Sequence, residues 1–533
     1  MNTLIPDRPE PGAMAGSSKS GFDQIELSLF SSRIAAICEE MGALLGRIAF
    51  SPNIRDRLDY SCALFDSKGL LLGQATHIPV HLGSMAYAMQ GLVKEFDWQA
   101  GDMVIFNDPF RGGTHLPDVT FVSPVFSDQL LIGFCANRAH HADIGSDAPG
   151  SMPISGRLEE EGIIISPTCI VNQGEINQEF FGGLLSKLQN QDLAKGDFKA
   201  QIAANLLGSR RLEELTSKYS YRSFLDACKD LQAYANTLAK ASLNDLPHGI
   251  YSFTDMLDDD GSGTKDIVIS VCITVNELGV LADFTGTSNQ VNGNLNCPVS
   301  VTAAAVFYAF RCLMPDQVPA CYGAMLPIRI VAPEASLVNA AAPAAVAAGN
   351  VETSMRVVDV VCGALAKCLP GKIPAASQGT MNNIAMGSHG KNGWDYYETL
   401  AGGLGAGPDC NGRSARHSHM TNTLNTPVEV LERHYPLRIL KYAQRYNSGG
   451  EGQFHGGDGI IREYQFLADA ELSIISERRV HAPWGLMGGE SGKTGKNMLD
   501  EEILPAKCQR SVSQGQCLML ETPGGGGYGL RDR

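Results

Sequence analysis

Hydrophobic positions along the chain change their spacing several times, and each change predicts a different element. Residues 23–49 carry apolar side chains at i, i+3 and i+4 spacing, which predicts an amphipathic helix. Residues 59–74 contain two β-rich runs around Asp-Ser-Lys-Gly, which predicts a hairpin. After the stretch HIPVHLGSM, helical spacing returns near residues 84–96. The first part of the chain is therefore predicted to alternate between helix and sheet.

Strand patterns continue after this second helix. Residues 101–110 read as a strand that ends in a turn. The runs VTFVSPVF and QLLIGFCANRAHH meet at Ser-Asp-Gln, which predicts two paired strands. The first 150 residues are thus expected to form a sheet with helices packed around it.

The whole pattern predicts a mixed α/β (α+β), multi-domain protein. Its sheet-rich core is expected to have helices concentrated in the middle third of the chain. The predicted regions are a mobile leader (1–22), an N-terminal α/β region with the candidate metal ligands (23–175), a helical region (176–249), a central α/β region (250–394), and a glycine-rich β and loop region (395–533).

Composition narrows the class of partner. The 533 residues carry a net charge of -15 and are 44% hydrophobic, so a large core can form. Nucleic-acid binding needs clustered Lys and Arg, and no such block is present. No run reaches the roughly 18 apolar residues of a membrane span. The 14 scattered cysteines, without a CxxC pair, and an N-terminus without an apolar signal region predict reduced thiols in a cytoplasmic protein.

Candidate chemistry is concentrated in NDPFRGGTHLPDVT, residues 107–120. Imidazole nitrogen and carboxylate oxygen together suit a divalent metal, and His115 and Asp118 are three positions apart with a proline between them. Gly112 and Gly113 would let the backbone approach a ligand closely. The alternative is a helix cap or a surface turn with no ligand.

Two further stretches add potential ligands. ANRAHHADIGSDAPGS ends a predicted strand with His140, His141 and Asp143. Neighbouring side chains on a strand face opposite ways, so one of the two histidines should join a site, and alternation alone does not decide which. In NIRDRLDYSCALFD an acidic residue opens a strand. The alternative is that these groups are separate, solvated loop residues.

Ordered motifs along nearly the whole chain resemble those of one family. From about residue 25 to residue 529 they are RLDYSCALFD, HIPVHLGSM, NDPFRGGTHLPDVT, AHHADIGSDAPGS, DFTGTSNQVNGN, GNVETSMRVVDVV, SQGTMNN, NTPVEVLERHYP, GGDGIIREYQF, APWGLMGG and TPGGGGYG. With these motifs the chain resembles the hydantoinase B/oxoprolinase family. That family contains B-type subunits of ATP-dependent hydantoinases, the matching C-terminal half of 5-oxoprolinases, and subunits of acetone and acetophenone carboxylases.

The resemblance implies a metal site. In the family it is built from the motifs RxDxS and THxxD and from the first histidine of the following strand. Carried over, these motifs imply Asp59, His115, Asp118 and His140 as ligands of zinc or manganese. The family often has another residue after that first histidine, which favours His140 over His141 as the ligand.

Asp143 completes the predicted catalytic group with His115 and Asp118. As a nearby carboxylate it is a candidate to orient a ligating imidazole, and the alternative is that it only caps the IGSD turn. Two positions depart from the family pattern: Ser146 replaces the second of two glycines, and His455 stands where arginine is more usual. Neither departure removes an implied ligand.

The resemblance also implies a function and a partner. The A-type subunit of the family binds ATP with magnesium and phosphorylates the substrate, and the B-type subunit completes the reaction. For this chain the expectation is metal-assisted opening of a lactam or hydantoin ring within a hetero-oligomer. The alternatives are a subunit of an ATP-dependent ketone carboxylase and a non-catalytic scaffold for the A-type subunit.

The stretch GGESGKTGK, residues 488–496, contains GKT but is not predicted to bind ATP. A phosphate-binding loop needs a glycine five residues before Gly492, and that position is Met487. A surface loop is expected instead. His77 and His81 also fall in a family motif, either as structural histidines near the site or as substrate contacts.

Overall fold

The computed structural model describes residues 3–4, 22–75, 77–390 and 393–531. Within these ranges the chain forms four β-sheets and nine α-helices, which confirms the predicted multi-domain α+β class. Most of the predicted leader lies outside the described residues. The exceptions are Phe22 and the two residues Thr3–Leu4, and the latter two form β1. The boundaries of the other predicted regions stay predictions.

The N-terminal region contains a seven-stranded sheet. Its elements are α1 (Gln24–Ile48), α2 (Pro52–Arg55), β2 (Tyr60–Asp66), β3 (Leu71–Gln74), α3 (Pro79–Leu92), β4 (Met103–Phe106), β5 (Asp118–Ser127), β6 (Leu130–His140), β7 (Thr168–Asn172) and β8 (Glu175–Ile176). The strand order is β3-β2-β6-β5-β4-β7-β8, and all pairs are antiparallel. The predicted hairpin is confirmed as β2 and β3, and the predicted strand pair as β5 and β6.

Helix α3 begins earlier than the sequence pattern predicted. It starts at Pro79, rather than near residue 84, and ends at Leu92. Proline is well tolerated in the first turn of a helix, because the N–H that it lacks would have no partner there. The early start places His81 in the first turn, where its side chain faces Asp118, the first residue of β5.

The helical and central regions follow. Their elements are α4 (Gln178–Leu185), α5 (Gln191–Thr216), α6 (Tyr221–Asn244), β9 (Gly249–Asp259), β10 (Lys265–Asn276), β11 (Gly279–Asp283), α7 (Val299–Arg311), β12 (Ile328–Val331) and α8 (Ser354–Cys368), which a π-helical turn (Gly349–Thr353) precedes. Strands β1, β12, β11, β10 and β9 form one sheet in that order. The largest hydrophobic cluster joins this sheet to α1, α6, α7 and α8.

Two more sheets occupy the C-terminal part. The elements are β13 (Asn383–Ser388), β14 (Trp394–Glu398), α9 (Val428–His434), β15 (Leu437–Arg445), β16 (Gly459–Phe466), β17 (Ala470–Ile475), β18 (Lys496–Leu499), β19 (Glu502–Leu504), β20 (Lys507–Val512) and β21 (Cys517–Glu521). The strand orders are β14-β13-β17-β20 and β15-β16-β21-β18-β19. Among the described residues, no helix combines the length and apolar character that a membrane crossing requires.

Glycine-rich segments of the C-terminal part pack backbone against backbone. Gly457 N–H donates to the Leu404 carbonyl at 2.8 Å, and Gly525 N–H donates to the Gly457 carbonyl at 2.9 Å. A Cβ atom on Gly403 would lie 1.9 Å from the Gly457 oxygen and 2.4 Å from the Gly525 nitrogen. Only glycine fits at such a distance, which explains why this residue is frequent here.

We expect Gly403→Ala to destabilise the protein by about 3 kcal/mol, because the surrounding groups are backbone and cannot move aside. The matched control is Gly182→Ala in α4, where an added Cβ would meet nothing within 4 Å. That change should be neutral or stabilising by up to about 1 kcal/mol. Thermal unfolding of both variants measures the difference, and equal melting temperatures would contradict the packing described.

Candidate metal site

Two paired strands bring the candidate ligands together. β5 begins at Asp118 and β6 ends at His140, and the antiparallel register places these two residues directly opposite each other. His115 lies in the turn before β5, where its carbonyl accepts the Asp118 N–H at 3.1 Å. Local turn geometry and strand pairing thus direct three side chains to one point.

The three side chains converge closely. One ligand atom from each of His115, Asp118 and His140 lies within 4.8 Å of the other two. Nε2 of His115 and Nδ1 of His140 are each 3.3 Å from Oδ1 of Asp118. In a tetrahedral site with bonds of roughly 2.0–2.1 Å, neighbouring ligand atoms are about 3.3 Å apart. The spacing fits ligands of one ion.

The hydrogen bonding of these groups also fits a metal. All three residues are buried, yet Oδ1 of Asp118 and both ring nitrogens of His115 have no hydrogen-bond partner within the part of the chain that the structure describes. The 3.3 Å contacts therefore lack hydrogen-bond geometry, although the atoms are close. A buried polar atom without a partner is costly. A divalent cation bound between the three atoms would satisfy them, and their mixed N/O chemistry suits zinc and manganese alike.

The surroundings of Asp118 and His140 favour the protonation states that bind a metal ion. Burial alone would raise the pKa of Asp118, but the adjacent His81 and His115 hold that pKa well below its usual range. Burial lowers the pKa of His140, and Asp118 opposes this shift only in part. An ionised carboxylate and a neutral imidazole are the forms that bind metal ions.

The second carboxylate oxygen of Asp118, Oδ2, contacts residues outside the candidate ligand group. Nε2 of His81 lies 3.2 Å from Oδ2 of Asp118, and the Thr114 hydroxyl donates a hydrogen bond to the same oxygen. Nδ1 of His81 is 3.2 Å from the Ser61 hydroxyl. His81, whose role the sequence left open, therefore orients a candidate ligand.

Asp59 lies near the three residues without belonging to their group. It lines the same small cavity as Asp118 and His140, and its backbone carbonyl accepts the His140 N–H at 3.0 Å. Its Oδ2 is 3.7 Å from the guanidinium of Arg57. Its role as a fourth ligand stays a prediction.

His141 and Asp143 face away from the three-residue group. Nε2 of His141 is 2.9 Å from Oε1 of Gln201, and its ring stacks on Phe198 with centroids 4.5 Å apart. Asp143 accepts the N–H of Gly145 at 2.9 Å and that of Gln189 at 2.7 Å. These are the contacts of the turn-capping alternative, and the structure does not bring Asp143 to the candidate ligands.

His77 makes the contacts expected of a histidine with a structural role. Its Nδ1 accepts the Cys62 N–H at 3.3 Å, and its ring packs edge-on against Tyr60. Burial lowers the pKa of His77 to about 4, so the ring is neutral near physiological pH.

The sequence did not point to the aromatic wall of the site. The Tyr397 ring stacks on His140 with centroids 4.5 Å apart and an interplanar angle of 14°. Arg57 lies over the same tyrosine and donates to its carbonyl and to the Thr399 hydroxyl, both at 2.9 Å. Neither Tyr397 nor Arg57 belongs to the candidate ligand group, so ligand spacing could not have identified them. The small cavity beside these residues measures about 20 Å³, which is room for an ion or a water molecule.

Comparison with known proteins gives one consistent result. The profile of the family described as Hydantoinase B/oxoprolinase matches residues 23–531. A 5-oxoprolinase of Dictyostelium discoideum is 38% identical over 98% of this chain, which spans only 41% of that protein. A Pseudomonas sp. (strain NS671) protein, provisionally named as the B-type subunit of a D-/L-hydantoinase, is 33% identical, with 95% of this chain and 90% of that one covered.

A solved structure shows the same architecture. The crystal structure of the ATP-dependent caprolactamase from Pseudomonas jessenii superposes with a TM-score of 0.88 and 25% identity. The superposition covers 96% of this chain and 92% of that one.

We expect His115→Ala and Asp118→Asn to lose bound divalent metal, because each removes a converging ligand atom. The control is His248→Ala, which changes an exposed histidine remote from the site. Elemental analysis of the purified variants measures the metal-to-chain ratio, and circular dichroism checks that the fold is retained. Full metal content in folded His115→Ala would contradict the assignment.

His81→Ala should weaken metal binding by roughly 10–100-fold without abolishing it, since His81 orients Asp118 and does not itself join the ligand group. Competition with a chelator of known affinity measures the change. Loss as complete as in His115→Ala would make His81 a ligand, and no change would remove its orienting role.

Proposed function

Because the chain belongs to the hydantoinase B/oxoprolinase family, we propose that it is the B-type component of an ATP-dependent enzyme that hydrolyses a cyclic amide. The observation that carries the proposal is the buried group of His115, Asp118 and His140, in which Oδ1 of Asp118 and both ring nitrogens of His115 have no hydrogen-bond partner among the described residues. The names of the similar proteins support the substrate class, since oxoproline, hydantoin and caprolactam are all cyclic amides.

The donor set assigns roles to the residues of the site. His115, Asp118 and His140 would hold a divalent cation, with Asp59 as a further oxygen donor. Such an ion supplies a Lewis acid and lowers the pKa of a water molecule towards ~7. His81 and Thr114 fix the orientation of the Asp118 carboxylate.

Apolar side chains form part of the wall of the site, beside polar ones such as Thr399 and Thr421. Ile78, Val80, Met381 and Met420 line the small cavity with the candidate ligands, and the stacked Tyr397 covers His140. Exclusion of bulk water strengthens electrostatic interactions with a developing negative charge. The cavity of about 20 Å³ cannot hold a ring, so substrate entry requires movement of the segments that line it.

The ATP-dependent step is assigned to an A-type partner. In this chain Gly492 packs against the Gly524 carbonyl, and the Lys493 N–H donates to the Ser448 carbonyl at 2.8 Å. The next element after this segment is strand β18, not a helix, so the frame of a phosphate-binding loop is missing. The chain also spans only 41% of the matched 5-oxoprolinase, which leaves the rest of that protein for a second component.

The alternative is a component of an ATP-dependent ketone carboxylase. The three-residue group would suit that reaction too, because a cation that polarises an oxygen serves both. The named relatives favour ring hydrolysis, and a direct assay separates the two reactions.

We expect the co-expressed A-type and B-type chains to open a cyclic amide ring and form ADP, with hydantoin, 5-oxoproline and caprolactam as first substrates. The isolated chain should not hydrolyse ATP. His115→Ala in the complex should abolish ring opening, while His248→Ala should retain it. Chromatography of the products together with an ADP assay measures both reactions.

Two results would contradict the proposal. One is robust ATP hydrolysis by the pure isolated chain. The other is bicarbonate-dependent carboxylation of a ketone by the complex without hydrolysis of any ring tested.

A further inference from the structure

A second and much larger cavity lies on the opposite side of the end of β6. It measures about 620 Å³ and has no lining residue in common with the small cavity of the candidate metal site. His141, the neighbour of His140, forms part of its wall. The two cavities thus lie on opposite sides of the end of β6, one beside His140 and the other beside His141.

Three carboxylates line this larger cavity: Asp143, Asp197 and Asp395. Asp395 accepts the Gly150 N–H at 3.2 Å. Burial, together with the negative charge of Asp143, raises the pKa of Asp395 to about 7. A cation in the cavity would relieve the repulsion between these two carboxylates.

Asp197 gives an independent indication of a ligand. It is fully buried, and its Oδ1 accepts the N–H groups of Phe50 at 2.7 Å and Ser51 at 3.1 Å. Its Oδ2 has no hydrogen-bond partner among the described residues. Because an unpartnered buried carboxylate oxygen is costly, a hydrogen-bond donor from a ligand would stabilise it.

The remaining walls suit an organic cation with a carboxylate at its other end. The Trp394 and Tyr435 rings line the cavity with centroids 5.7 Å apart, and aromatic faces attract ammonium groups. Arg47 and Arg55 lie at the more exposed side, where Arg55 also pairs with Asp56 at 3.0 Å, and guanidinium groups bind carboxylates. The cavity therefore offers negative charge inside and positive charge towards its opening.

We propose that this cavity binds a free amino acid, with its ammonium group against Asp197 and Asp395 and its carboxylate towards Arg47 and Arg55. The ligand class rests on the proposed function, because hydrolysis of a lactam produces such a molecule. Ring opening converts a neutral amide into a carboxylate and an amine, and the amine is protonated near neutral pH. The cavity thus recognises the product and not the closed ring.

The same chemistry distinguishes between substrates. A hydantoin opens to a carbamoyl acid, in which the nitrogen remains acylated and uncharged. That product has no ammonium group to place against Asp197. The cavity therefore favours a lactam over a hydantoin as the substrate of this protein.

The test is isothermal titration of the full-length isolated chain with glutamate and with 6-aminohexanoate, each compared with its N-acetyl derivative. We expect saturable binding of at least one free amino acid and none of the acetylated forms. Asp197→Asn and Asp395→Asn should each weaken binding by roughly tenfold or more, since each removes a charge-assisted contact. The control is Asp316→Asn, an exposed aspartate outside the cavity.

Equal binding of the acetylated form, unchanged binding by both variants, or no saturable binding of either amino acid would overturn the proposal. If Asp197→Asn fails to fold, Asp395→Asn decides, because Asp395 is only partly buried and forms fewer contacts. Metal content is measured on the same preparations, and ring opening is measured on the complex that the chain forms with its A-type partner. A chain that binds metal and opens rings in that complex but binds no amino acid refutes only this proposal, whereas absence of metal or of ring opening by the complex refutes the proposed function.

Discussion

The site depends on the antiparallel pairing of β5 with β6. This pairing sets Asp118 opposite His140, and the turn before β5 adds His115 to the same point. A shift of one residue in register would turn one of these side chains to the other face of the sheet. Buried apolar residues along both strands, such as Phe121 and Phe134, penalise such a shift.

Residues of the C-terminal half cover the site on the side of His140, where the Tyr397 ring stacks. The Tyr397 hydroxyl donates to Oδ1 of Asn383 at 2.8 Å, and the Asn383 amide donates to Glu352 at 2.8 Å. Burial and the nearby Glu477 raise the pKa of Glu352 to about 8. A continuous series of buried contacts thus connects the ring stacked on His140 to the interior of the central region.

Much of this arrangement could be predicted from local patterns. Strand alternation and the Ser-Asp-Gln turn identified β5 and β6, and the three-residue spacing of His115 and Asp118 identified a possible ligand pair. The motif resemblance selected His140, and the structure places its ring 5.1 Å from that of His115 between centroids.

Other parts depend on contacts between distant segments. Tyr397 and Arg57 reach the site through tertiary packing, and nothing in their own neighbourhoods indicates this. Asp143 looked like a partner of the ligands because it is close in sequence, but the chain turns after His140 and carries it to the larger cavity. The unpartnered oxygen of Asp197 depends on the packing of α5 against residues 50–51, which periodicity alone does not reveal.

The central claim is that one divalent ion is bound between His115, Asp118 and His140. The most direct measurement is an anomalous difference map from crystals of the metal-loaded chain, recorded at the absorption edges of zinc and manganese. We expect one strong peak within about 2.0–2.3 Å of a ring nitrogen from each histidine and of an Asp118 oxygen. A metal-loaded crystal whose anomalous peaks all lie elsewhere would contradict this claim.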